Sequence, residues 1–114
     1  MDPSLYTEIG KAFSFALGGE SRKGLELLKG TETKMDAQGV TDAEAMYKVA
    51  QAYAIMGDKS SAIRMLSRSI NGGFFCYPYI NDDPLIDNLR QEAEYAALLS
   101  SARKLHEDFK SRFF

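Results

Sequence analysis

One histidine, one cysteine and a short acidic run are the residues of this 114-residue sequence that could do chemistry. His106 is followed by Glu107 and Asp108, a set of residues suited to acid–base catalysis. Side chains one and two positions apart point to different sides of a helix, so these three would not act together there. We therefore interpret His106 as a structural residue beside a packing stripe.

Cys76 is the second candidate, because a thiolate is a strong nucleophile. Catalysis by cysteine requires a nearby base and an environment that stabilises the thiolate. The neighbours Phe75, Tyr77 and Tyr79 create an apolar setting that raises the pKa of a thiol. We expect Cys76 to pack as a small hydrophobic residue. A single cysteine forms no internal disulfide, which favours a reducing, cytoplasmic location.

The acidic run consists of Asn81, Asp82, Asp83 and, further on, Asp87. It resembles a cation-binding loop, but it lacks the central glycine and the bidentate glutamate of an EF-hand. Asp83 precedes Pro84, and this pair is typical of a helix start, since aspartate accepts bonds from free amides and proline needs none. We therefore assign helix capping to Asp83 and expect no metal site.

No other pattern in the sequence suggests an enzyme. The glycine pairs at 18–19 and 72–73 lack the spacing of a phosphate-binding loop or a dinucleotide fingerprint. Neither Gly-x-Ser-x-Gly nor His-Glu-x-x-His occurs. The sequence therefore predicts a protein that is not an enzyme and that has no cofactor.

The composition indicates one globular domain spanning residues 1–114. Hydrophobic residues make up 45% and charged residues 26%, with a net charge of −2. This charge does not favour nucleic acid or an anionic membrane as a partner. No apolar run approaches the roughly 18 residues of a membrane span, and the N-terminus lacks the pattern of a signal peptide.

Apolar residues recur at helical spacing along most of the chain, and no segment alternates with the period of a strand. The spacing and the candidate caps predict an all-α fold. The expected helices are 4–17, 21–38, 44–56, 59–71, 84–90 and 92–112, with an aromatic turn at 74–79.

Residues 46–74 resemble a tetratricopeptide repeat (TPR), a helix–turn–helix unit of about 34 residues. Methionine stands at position 46 where tryptophan is usual, and phenylalanine at position 74 where proline is usual. The remaining pattern positions follow the expected spacing: Met46, Val49, Ala50, Tyr53, Gly57, Ala62, Leu66 and Ser69.

The resemblance implies an antiparallel helix–turn–helix array: a degenerate repeat at 4–38, a good repeat at 42–74, and an aromatic turn with capping helices at 75–114. An offset of 40 residues aligns Tyr6, Ile9, Gly10 and Phe13 with the packing positions of the good repeat. A second register would align Ala12 and Phe15 instead, but it would place Lys11 at a buried position. We prefer the first register.

Residues 72–109 resemble the closing segment of TPR arrays in certain bacterial signalling proteins. In those proteins the arrays lie C-terminal to a Ser/Thr kinase, a cyclase-like domain or a winged-helix regulator. The resemblance implies a protein–protein interaction scaffold or adaptor in bacterial signalling or regulation.

The TPR resemblance also implies a binding groove lined by the first helix of each repeat. The mapped positions are Thr7, Glu8, Lys11, Phe15, Glu44, Tyr47, Lys48 and Gln51. A clamp for a terminal carboxylate is not expected, because the cluster of Lys, Asn and Arg that such clamps use is missing. Tyr47 and Phe15 would suit a peptide with an apolar anchor. Tyr47 could equally pack on the next helix.

Two alternatives to a peptide-binding scaffold remain open. Of the aromatic C-terminal residues Phe109, Phe113 and Phe114, the last two could form a homodimer contact, which would make the chain an oligomerisation module. The terminal helices could instead close the groove into an apolar pocket, which would make it a sensor of a small ligand or peptide.

Overall fold

The computed structural model describes residues 2–113, and within this range the chain is helical without strands, as predicted. It contains six α-helices and one 3-10 helix. The α-helices are α1 (Pro3–Leu17), α2 (Ser21–Ala37), α3 (Ala43–Ile55), α4 (Lys59–Asn71), α5 (Tyr77–Asp82) and α6 (Ala93–Phe113); the 3-10 helix spans Pro84–Leu89.

Aspartates fix the first turns of three helices. The carboxylates of Asp2, Asp42 and Asp58 accept bonds from backbone amides at the starts of α1, α3 and α4. These bonds satisfy amides that have no partner within the helix. The helix starts are therefore encoded locally, and the predicted bounds of α1 to α4 differ little from the observed ones.

Two helical hairpins, α1–α2 and α3–α4, contain the same turn 38 residues apart. The amide of Glu20 donates to the carbonyl of Phe15 (2.8 Å), and the amide of Asp58 donates to that of Tyr53 (3.0 Å). A glycine with positive φ precedes each of these amides, at +80° and +83°. Such a glycine closes a helix without the steric cost of a side chain.

The preferred register of α1, at an offset of 40, is therefore wrong, and the rejected alternative matches the turns. At an offset of 38, Ala12 and Phe15 correspond to Ala50 and Tyr53, and Ala12 is fully buried. Lys11 corresponds to Val49, yet it is exposed. The expectation that this register would bury Lys11 was the reason to reject it. In the structure this side of α1 is open to solvent.

The core is centred on α3, which packs against α1, α4 and the 3-10 helix. Nine of its thirteen residues are buried, so this helix has little free surface. Glu32 of α2 joins the two hairpins. Its carboxylate accepts hydrogen bonds from the hydroxyl of Tyr53 (2.7 Å) and from both terminal nitrogens of Arg64 (2.7 and 3.0 Å). A bidentate pair of this kind fixes orientation as well as distance.

The part of the chain after α4 differs most from the prediction. The expected aromatic turn contains a helix, α5, and the expected helix 84–90 is a 3-10 helix with an irregular Ile86 (φ −112°, ψ 19°). The long helix α6 contacts α4 and α5. Leu105 and Phe113 on α6 are exposed, whereas Phe114 lies outside the described residues. The homodimer stays a prediction.

Candidate functional site

A groove runs across the molecule between α1, α3 and the segment 74–79. It consists of two cavities that share Lys48 and Gln51. We call the first, of about 360 Å³, the α1 cavity; it is lined by Tyr6, Ile9, Gly10, Phe13, Lys48 and Gln51. We call the second, of about 310 Å³, the aromatic cavity; it is lined by Glu44, Tyr47, Lys48, Gln51, Phe74, Cys76 and Tyr79.

The wall on α1 combines apolar side chains with a gap. Tyr6 and Phe13 lie one turn on either side of Gly10, and a Cβ atom added at Gly10 would meet nothing within 4 Å. Tyr6 donates its hydroxyl to the carboxylate of Asp42, the residue that caps α3. This bond connects α1 to the start of α3 and lowers the pKa of Asp42.

Three aromatic rings form the floor of the aromatic cavity. The centroid of Tyr47 lies 4.5 Å from that of Phe74 and 5.8 Å from that of Tyr79, and the last two are 6.0 Å apart. Tyr79 remains 53% exposed. Rings at these distances are in direct contact, so they present an apolar surface and leave no space between them for a ligand.

A buried carboxylate holds the floor of the groove in place. Asp83 is 6% exposed, and its Oδ2 atom accepts the hydroxyl of Tyr47 (2.6 Å) and the Nε2 group of Gln51 (2.7 Å). Its Oδ1 atom accepts the amide of Leu85 (2.9 Å). The capping role predicted for Asp83 is confirmed by this last bond, while its contacts with α3 were not anticipated.

The eight predicted groove residues divide by helix. The four on α3 lie along the groove, although Tyr47 is only 3% exposed and also packs on its aromatic neighbours. The four on α1 line neither cavity, because the turns align α1 with α3 at a different register from the preferred one. Their side chains point to α2, to solvent or back to α1: Thr7, Glu8, Lys11 and Phe15.

The contacts of Glu8 and Phe15 show that these side chains face α2 and not the groove. Glu8 accepts bonds from Lys34 (3.0 Å) and Thr31 (3.4 Å) on α2, and Phe15 lies beside Gly24 of the same helix. A constant offset of 38 from Glu44, Tyr47, Lys48 and Gln51 gives the residues that do line the α1 cavity: Tyr6, Ile9, Gly10 and Phe13. The spacing of the two turn glycines was the signal that could have found them.

The remaining chemical candidates are Cys76 and His106, and the expected packing of Cys76 is wrong, because this residue is exposed. Cys76 and His106 border one further cavity of about 350 Å³, and no hydrogen bond joins them within residues 2–113. A larger cavity of about 580 Å³ lies between α4 and α6, beside Arg64 and Arg68. Both of these cations form ion pairs with α2, so the wall they build is already neutralised.

The buried tyrosines predict an alkaline loss of stability. Burial, together with the bonds to Asp83 and Glu32, raises the pKa of Tyr47 and of Tyr53 well above the ordinary value of 10.0. The folded state therefore favours the protonated phenols, and their contribution is complete below pH 10 and declines above it. Between pH 10 and 11 each of the two tyrosines should lower the free energy of unfolding by about 1 kcal/mol.

Urea unfolding between pH 9 and 11 measures this effect. The Tyr47→Phe and Tyr53→Phe variants should each lose less stability over this interval than the wild type, and the double variant should lose least. The change of the unfolding free energy with pH is compared between variants. This comparison removes the constant cost that each substitution has at neutral pH. An unchanged slope in the double variant would contradict the assignment.

The chain matches no protein-family model, no curated protein and no solved structure. Within residues 2–113, no three His, Cys, Asp or Glu side chains converge to hold a metal ion. In the same range, no helix has the length and apolarity needed to cross a membrane.

Proposed function

We propose that this chain is a TPR-like interaction module that binds a peptide segment of a partner protein in the groove between α1, α3 and residues 74–79. The observation that carries the proposal is the continuity of the two apolar cavities through Lys48 and Gln51. Paired cavities suit successive anchor side chains of one peptide. The resemblance of residues 72–109 extends the proposal to an adaptor in bacterial signalling.

The rigidity of the groove supports this function. Tyr47 and Gln51 are held by Asp83, and Tyr6 is held by Asp42, so each helix of the groove carries a side chain fixed by a hydrogen bond. A preformed surface loses little conformational entropy when a ligand binds. The exposed ring of Tyr79 adds the kind of aromatic contact that contributes strongly at protein interfaces.

Selection from a phage-displayed library of random peptides tests the proposal. A selected peptide, added to the ¹⁵N-labelled chain, should shift the amide signals of α1, α3 and α5. Shifts confined to the outer faces of α2 and α4 would contradict the proposal. Failure of the immobilised, folded chain to enrich any peptide would contradict it as well.

A further inference from the structure

Lys48 lies where the two cavities of the groove meet, and it forms no ion pair with any of residues 2–113. Nine of the chain's fourteen Lys and Arg side chains form ion pairs within residues 2–113. Lys48 is not among them, and it is exposed. An available ammonium group where two mainly apolar cavities meet favours a ligand with a negative charge there.

The two cavities differ in charge, which gives this preference a direction. Among residues 2–113, Lys48 is the one charged residue that lines the α1 cavity, whereas Glu44 also lines the aromatic cavity. The carboxylates of Asp42 and Asp83 accept hydrogen bonds from neutral groups and keep their charge, but neither residue lines either cavity. A ligand carboxylate is therefore best placed on the α1 side of Lys48, away from Glu44.

We propose that Lys48 selects peptides in which an internal aspartate or glutamate lies between two apolar anchors. One anchor occupies the α1 cavity near Tyr6 and Phe13, and the other lies in the aromatic cavity against the exposed ring of Tyr79. The acidic residue pairs with Lys48 and lies closer to the first anchor. This inference rests on the proposed function and specifies its ligand.

Library selection on three forms of the chain tests the inference. The library displays random 12-residue peptides without a free C-terminus, so any carboxylate in the binders is internal. Wild-type protein should enrich Asp and Glu between apolar residues, and Lys48→Glu should enrich Lys or Arg at that place. Lys11→Glu is the matched control, because Lys11 is an exposed lysine of α1 that does not line the groove and forms no ion pair with any of residues 2–113. Peptides selected on this variant should resemble those of the wild type.

A binding cycle measures the pair directly. Replacing the acidic residue of a selected synthetic peptide with alanine should weaken binding to the wild type about fivefold, as for an exposed ion pair at an interface. The same peptide change should have no effect on Lys48→Met, which keeps the length of the side chain and removes its charge. Equal losses in both proteins would overturn the inference.

The outcomes separate this inference from the proposed function. Peptides that shift the amides of α1 and α3, but show no acidic preference and bind Lys48→Glu equally well, overturn the role of Lys48 and leave the groove as the binding site. Synthetic peptides that lose binding on C-terminal amidation, and not on replacement of the internal acid, also overturn it. Absence of any groove-binding peptide overturns both.

Discussion

Replacing Asp83 with alanine is expected to lower the free energy of unfolding by about 3 kcal/mol, the largest effect we expect from a single substitution in the groove. The hydroxyl of Tyr47 and the amide of Gln51 both donate to this carboxylate. These two residues are 3% and 6% exposed, so water cannot take the place of Asp83 without opening the structure. The 3-10 helix would also lose the bond at Leu85.

Urea unfolding followed by circular dichroism measures the loss, and Asp82→Ala is the matched control. Asp82 is the adjacent residue, carries the same charge and is exposed, so its replacement should change stability by less than about 0.5 kcal/mol. Adding Tyr47→Phe to Asp83→Ala should cost less than adding it to the wild type, because the unsatisfied hydroxyl is removed. Equal stability of the Asp82 and Asp83 variants would contradict the anchoring role.

The bonds between Asp83 and α3 are contacts that local sequence patterns do not predict. The bond to Leu85 is local, and the Asp83–Pro84 pair predicted it. Tyr47 and Gln51 are 36 and 32 residues away, and their donors look like ordinary surface groups in the sequence. Only the packing of residues 74–89 against α3 brings them to the carboxylate.

The first four helices were predictable because their signals are local. Apolar spacing, aspartate caps and turn glycines all act within a few residues. The register of α1 was harder, because Tyr6, Ile9 and Phe13 are apolar and fit a packing role equally well. The structure assigns Tyr6 and Phe13 to the groove wall, while Ile9 is 3% exposed and serves both the wall and the core.

The segment 74–79 was predicted as a turn, but α5 begins within it at Tyr77 and continues to Asp82. Aromatic residues and Pro78 disfavour a helix by local propensity, yet proline is tolerated in a first turn. Packing supplies the missing preference: Ile80 is fully buried, and Tyr79 contacts Phe74 and Tyr47. The aromatic cavity therefore depends on the packing of residues 74–82 against α3. The sequence indicated the groove residues of α3, but not that Phe74 and Tyr79 would join Tyr47 there.

Gly10→Leu is expected to weaken peptide binding by at least about tenfold while stabilising the fold. Gly10 lies within α1 and lines the α1 cavity, where a Cβ atom meets nothing within 4 Å. A leucine side chain would occupy the volume meant for a peptide anchor, and losing one buried apolar anchor costs about 1.5–3 kcal/mol of binding. Leucine is also the better helix former, by about 0.5–1 kcal/mol.

Gly30→Leu provides the matched control, because Gly30 is an exposed glycine within α2 with equally open surroundings and does not line the groove. Both variants should unfold at higher urea concentration than the wild type, and only Gly10→Leu should lose binding of a selected peptide in fluorescence anisotropy. Opposite changes in stability and affinity exclude unfolding as the cause of the lost binding. Unchanged affinity in Gly10→Leu would show that the peptide does not enter the α1 cavity, which would remove the main support for a continuous two-cavity site.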